Sequence, residues 1–272
     1  MKRRTRATFL LLALVSVAGV AAAHETWLIP SSMRVPVGRT VTLSLTSGMT
    51  FPNDQIKIEP ARVVRAEARL GHTTERLRRP RTTAHALRYV WTPRVAGVAT
   101  IAIELGPRSL ELKPSQVKEY FDEIHAGPAI IAQWDSIPAP RRWRESYTKH
   151  ATSYVRVGTP RSDSSWMTPL GLGLEIVPEE NPTSITAGET LPVRVLLNGS
   201  PLAGFSVGAR LESRSKSAFV TTDSSGRAAV PLLAKGRWLL FGTHLRRANE
   251  PNLEWRSDFV TMTTYVAPTG TR

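Results

Sequence analysis

The sequence predicts a mainly β protein, built as two β-sandwiches of immunoglobulin-like or prealbumin-like type with a helical insertion between them. Apolar side chains alternate with polar ones in short runs such as Val41, Leu43, Leu45 and Leu191, Val193, Val195. A period of two puts one face of each run in a core. Turn sequences bound those runs, among them Ser47-Gly48, Asn198-Gly199 and Asp223-Ser224-Ser225-Gly226. The pattern also occurs twice. Val37-Gly38-Arg39-Thr40 leads into the first run and Ala187-Gly188-Glu189-Thr190 into the second. Each unit closes on apolar strands, Tyr89-Val90-Trp91 and Ala99 to Ile103 in one, Val230 to Leu233 and Trp238 to Phe241 in the other. Short strands at this spacing build sandwiches.

Taken in order, residues 1–23 read as an export leader. A basic head (Lys2, Arg3, Arg4, Arg6) precedes an apolar run from Phe9 to Ala22, and Ala21 and Ala23 supply the small residues of a cleavage site. The expected cut after Ala23 would make His24 the first residue of the mature chain. The apolar run is shorter than the ~20 residues of a membrane span, and no later segment approaches that length. The mature protein is expected in the periplasm or secreted, with no stable span. The twin arginines Arg3 and Arg4 lack the motif that usually follows, which favours the general secretion route.

Residues 24–105 form the first predicted sandwich and 166–272 the second, with a polar tail from Ala267. The segment 106–165 reads as helical insertion and linker. Pro114 opens a stretch with Val117, Tyr120, Phe121 and Ile124 at helical spacing, and Gly127-Pro128 ends it. A second helix is expected over Arg141 to Ala151, and the polar run Gly158 to Ser165 is expected to link.

Composition excludes several chemistries. The chain has no cysteine, so disulfides, thiolate metal sites and thiol catalysis are ruled out. There is no nucleophile elbow, no His-Glu-x-x-His and no phosphate-binding glycine loop, so no enzyme activity is expected. The net charge is +14, with arginines dense between Arg62 and Arg94. Export argues against nucleic acid as the partner, and the arginines read as a solvated face. Trp27, Trp91, Trp238 and Trp255 are expected to fill the cores.

Several runs together carry a resemblance. They are Ala23-His24-Glu25-Thr26-Trp27-Leu28-Ile29-Pro30, Arg144 to Ala151, Pro169 to Pro178, Ala187 to Val193, Gly199 to Gly204, Thr222 to Gly226 and Gly236 to Leu240. In these the chain resembles the exported family called domain of unknown function 4198, whose members accompany nickel and cobalt uptake transporters in bacteria. The resemblance implies a metal ion and an inner-membrane metal transporter as partners. In one place the chain departs from the family, which often shows Gly-His shortly before a Phe-Pro pair. Here Gly48 is followed by Met49, ahead of Phe51-Pro52. A thioether in place of an imidazole removes a ligand or shifts preference toward Cu(I).

The candidate metal ligands are His24, His244 and Met49. A histidine at a free N-terminus offers its α-amine and its ring Nδ1 to one ion, closing a chelate. His244 follows the apolar run Trp238 to Phe241 at a strand end, and the resemblance places a histidine there in many relatives. The amine and ring of His24 with the ring of His244 would make a T-shaped three-nitrogen site, suited to Cu(II) or Ni(II). Met49 is the third candidate, with packing as its other role. His72, His85 and His150 read as surface residues, His150 on the second helix, and His125 as a helix-end residue. Glu25 and Asp54 read as possible oxygen ligands or ring-orienting groups.

The function expected is an exported protein that captures a divalent transition metal, nickel, cobalt or copper, and supports its uptake. The alternative is a non-catalytic sandwich module that binds other envelope components. A third reading, a copper oxidase or monooxygenase, has no substrate-specific feature behind it.

Overall fold

The computed structural model describes residues 24–159 and 163–270. The predicted leader, residues 1–23, and part of the predicted linker, residues 160–162, lie outside the described residues.

Strands run along most of the chain: β1 (Glu25–Pro30), β2 (Arg34–Val35), β3 (Val41–Gly48), β4 (Ile56–Lys57), β5 (Val63–Leu70), β6 (Thr73–Arg76), β7 (Arg81–Thr82), β8 (Leu87–Trp91) and β9 (Gly97–Leu112). Two short helices follow, α1 (Val117–Glu123) and α2 (Pro128–Asp135). After them come β10 (Trp143–Val157), β11 (Leu174–Pro178), β12 (Glu189–Leu197), β13 (Ser200–Pro201), β14 (Ser206–Leu211), β15 (Ala218–Thr221), β16 (Arg227–Leu232), β17 (Gly236–Arg247) and β18 (Trp255–Val266).

These strands form a five-stranded sheet (β1-β3-β8-β7, with β4 on β3), a four-stranded sheet (β11-β12-β13, with β16 on β12) and a nine-stranded sheet between them. The order in the large sheet is β15-β14-β17-β18-β10-β9-β5-β6, with β2 on β10. Strand alternation gives the large sheet two different faces. On one, Ile101, Ile103, Ala151 and Val155 pack against Leu28, Leu43, Leu45 and Tyr89 of the five-stranded sheet. On the other, Tyr154, Leu240, Val260 and Met262 pack against Leu174, Ile176, Val193 and Val230 of the four-stranded sheet. The chain is therefore two sandwiches that share their middle sheet. The helices cover the remainder of the first face, where Tyr120, Phe121 and Trp134 meet Trp143, Tyr147, Trp255 and Phe259.

The predicted helix over Arg141 to Ala151 is a strand. Its inward side chains are Trp143, Glu145, Tyr147, Lys149 and Ala151, all buried. Two of those five are charged, so the alternation does not show as apolar against polar. Among the described residues of 106–165, the helical part is a 3-10 turn at Pro114–Gln116, the two short helices and, at its very end, the start of a 3-10 turn at Ser165–Met167. β10 instead forms the spine of the fold, antiparallel to β9 and parallel to β18.

Candidate functional site

His24 sits immediately ahead of β1. The β1–β3 ladder begins at Glu25 opposite Gly48, so His24 immediately precedes the first paired residue and Met49 immediately follows its partner. Three sets of contacts fix this end of β1. The hydroxyl of Thr261 donates to the Thr26 carbonyl at 2.6 Å, and the hydroxyls of Thr26 and Ser47 are 2.6 Å apart across the ladder. The Glu25 carboxylate pairs with Arg210 at 3.1 Å, and Arg210 lies over the Phe241 ring. Finally, the Nζ of Lys149 donates to the His24 carbonyl. On the Met49 side, the Gln55 side-chain oxygen accepts the N–H groups of Met49 at 2.6 Å and Thr50 at 2.8 Å. The thioether itself stays exposed.

Lys149 is only 3 % exposed. It lies between two rings, its Nζ 5.4 Å from the Tyr147 centroid and 5.0 Å from that of Phe259. Burial, then the nearby Arg62 cation, pull its pKa down to about 7, against the opposing pull of Glu25.

His244 does not join His24. It lies on β17 opposite Asp258 of β18. The preceding residue, Thr243, lines a cavity with Glu25, Glu123 and Phe259 on the side where β1 lies. Alternation therefore puts His244 on the other face of the large sheet. There it belongs to a second polar cluster. The Asp258 carboxylate accepts hydrogen bonds from Thr148 at 2.5 Å and Arg246 at 2.5 Å, and the His150 ring is 3.6 Å away. Burial pushes the Asp258 pKa up, but the bonds from His150, Thr148 and Arg246 overcome it and hold the carboxyl well below its ordinary range. Burial and the Arg246 cation lower the His244 pKa, with Asp258 acting in the opposite sense. Gly173 covers this cluster closely, since a Cβ there would meet the His150 ring at 3.2 Å.

The remaining candidates are scattered. His150 is a buried strand residue, not a surface helical one. His125 adopts a φ of 53° and stacks on Phe219 with centroids 3.9 Å apart. His72 and His85 are exposed, and Asp54 is taken up by Ser44 and Arg88. Among the described residues, no group of three or more His, Asp or Glu is placed to hold a metal ion. A site at His24 would draw on its amine, its ring and the Met49 thioether. The arginine-rich segment divides in two. Arg65 and Arg69 donate to the carbonyls of Leu170, Pro169 and Ser165 and tie that loop to the sheet. Arg76, Arg78, Arg79 and Arg81 make no ion pair or side-chain hydrogen bond among the described residues.

The sequence profile of a family described as domain of unknown function DUF4198 matches residues 21–245. No curated protein matches the chain. Among solved structures, the adhesin InvE of Yersinia pseudotuberculosis is similar with a TM-score of 0.23 and 10% identity, over 90% of this chain and 59% of that one. The full ectodomain of mouse nectin-like molecule 4 (Ig1–Ig3) gives 0.21 and 9%, over 91% and 66%. A Ca2+-stabilised adhesin with which an Antarctic bacterium binds ice gives 0.24 and 9%, over 90% and 49%. The chain thus spans about half to two thirds of these proteins' lengths.

Proposed function

The chain belongs to the DUF4198 family, and from that premise we propose that it is an exported metal-binding protein that captures nickel, cobalt or copper through an N-terminal histidine and supports the metal's uptake. One observation carries the reading. The main chain of His24 is held at the head of β1 by Lys149, so a protein cut after Ala23 would begin with a fixed histidine rather than a fraying end. The α-amine and ring of that residue would chelate the ion, and Met49, next to the ladder partner of Glu25, would add a thioether. A soft sulfur donor favours copper within the three metals. The protein would bind and release metal without catalysing a reaction. Imidazole and amine ligate only when unprotonated, so affinity falls as pH drops. His244 has no part in this version of the site.

Calorimetry with Cu(II), Ni(II) and Co(II) tests it on two proteins, one starting at His24 and one carrying a single extra residue before it. Tight one-to-one binding is expected for the first alone. Equal binding by both sinks the N-terminal chelate.

A second reading is the interaction module, and the unpaired Arg76, Arg78, Arg79 and Arg81 favour it. They border Pro80, which joins the edge strands β6 and β7 of two different sheets. This reading expects binding to an anionic envelope fraction without metal. Replacing these four arginines by glutamine would abolish that binding, and adding a residue before His24 would not.

A further inference from the structure

Burying a lysine costs several kcal/mol unless its ammonium is paired, and the slot that Lys149 fills gives no obvious reason to bear that cost. Its neighbours on the same sheet face are Tyr147, Ala151, Phe259 and Thr261. An unbranched apolar side chain would fit between the two rings without desolvating a cation. No carboxylate pairs with Lys149 among the described residues. Its one hydrogen bond there goes to the carbonyl of His24.

We propose that Lys149 is the positioning residue for the mature N-terminus, fixing the peptide plane that follows His24 so that its amine and ring are presented to a metal ion from one place at the head of β1. This rests on the reading of His24 as the first residue of the mature chain. The argument is conformational. An N-terminal residue held only by the peptide bond that follows it would swing about several torsions. With its carbonyl bonded to Lys149 and Glu25 in the ladder, the plane of the peptide bond after His24 is set, and with it the position of the Cα that carries amine and ring. Removing that freedom beforehand strengthens binding without adding a ligand, and supporting groups of this kind are typically worth about 10–100-fold in metal affinity.

The test uses protein starting at His24 and its Lys149→Met variant, whose side chain suits the ring-lined slot. Cu(II) affinity is read by calorimetry and the ligand field by electron paramagnetic resonance. The variant is expected to fold, to bind at least about tenfold more weakly and to show a changed copper spectrum with a broadened range of geometries. Equal affinity with an identical spectrum overturns the positioning role. That result leaves the chelate standing as long as an extra residue before His24 still abolishes binding; if it does not, the chelate fails instead. Should Lys149→Met not fold, the unsubstituted protein decides. On loading with diamagnetic Cu(I), the Lys149 13Cε resonance is expected to shift together with those of His24. A Lys149 resonance that stays put beside shifted His24 resonances overturns the proposal.

Discussion

Asp258 stands directly opposite His244 in the antiparallel ladder of the last two strands, and that pairing keeps His244 on the face of the sheet turned away from His24. Replacing His244 by alanine is therefore expected to leave Cu(II) and Ni(II) affinity within about twofold of the parent. Met49→Leu is expected to weaken Cu(I) binding severalfold and Ni(II) binding less, following the softness of the lost sulfur. Parallel calorimetric titrations of both variants check this. A large loss for His244→Ala would require the two histidines to meet by a rearrangement of the sheet.

Asp258 also sets a pH dependence. Its carboxyl titrates below its unfolded value of about 3.9, because hydrogen bonds from His150, Thr148 and Arg246 outweigh burial. A depressed acid contributes stability that is present above the unfolded pKa and lost as pH falls toward the folded one. Asp258→Asn is expected to cost about 1.5–3 kcal/mol at pH 7, the range for a hydrogen bond to a charged group. The gap between variant and parent should narrow below about pH 4. Urea unfolding at pH 7 and pH 3 measures both values.

Glu145 illustrates a buried acceptor. Its carboxylate takes the hydroxyl of Tyr120 and the indole N–H of Trp143, each at 2.8 Å, and the hydroxyl of Ser257. Burial raises its pKa, against the effect of these three bonds. In Glu145→Gln the amide oxygen would stay on the Trp143 N–H, so the amide NH2 would face the Tyr120 and Ser257 hydroxyls, which would have to accept instead of donating to a carboxylate. A loss of about 1–3 kcal/mol at pH 7 is expected, read from the urea midpoint. An unchanged midpoint would mean that the amide turns and finds other partners.

Glu123 should show the opposite sign to Asp258. Burial, then Glu119 and Glu25, raise its carboxyl to about 7. A raised acid contributes stability that is full below its unfolded pKa of about 4.3 and lost as pH rises through the folded value. Glu123→Gln is expected to match the parent in melting temperature at pH 4 and to exceed it at pH 8. Scanning calorimetry at those two pH values decides.

The sandwiches were legible because Val41, Leu43, Leu45 and Leu191, Val193, Val195 alternate cleanly and end at Gly turns. β10 was not. Glu145 and Lys149 occupy inward positions normally held by apolar residues; Glu145 is met by Tyr120 and Ser257 as well as by its near neighbour Trp143, and Lys149 by His24, far away in sequence. The same concealment hid His150, which reads as a surface residue until the parallel pairing with β18 places it beside Asp258. His24 and Met49 could be named from the leader and the Gly48 turn. The pairing of their neighbours Glu25 and Gly48, and the separation of His244, depend on register and on the parity of a strand, which residue types alone do not reveal.

The shared middle sheet constrains how the chain is made. β10 and β18 are zipped side by side, with Thr148 and Asp258 in contact although 110 residues apart, and β18 is the last strand. Such distant pairing is slow to form, and it waits until β18 has been synthesised. A chain threaded through a secretion channel would thus stay unlocked until β18 emerges. For the same reason, a fragment that stops before β18 would leave the β10 edge bare and prone to stick to its own kind.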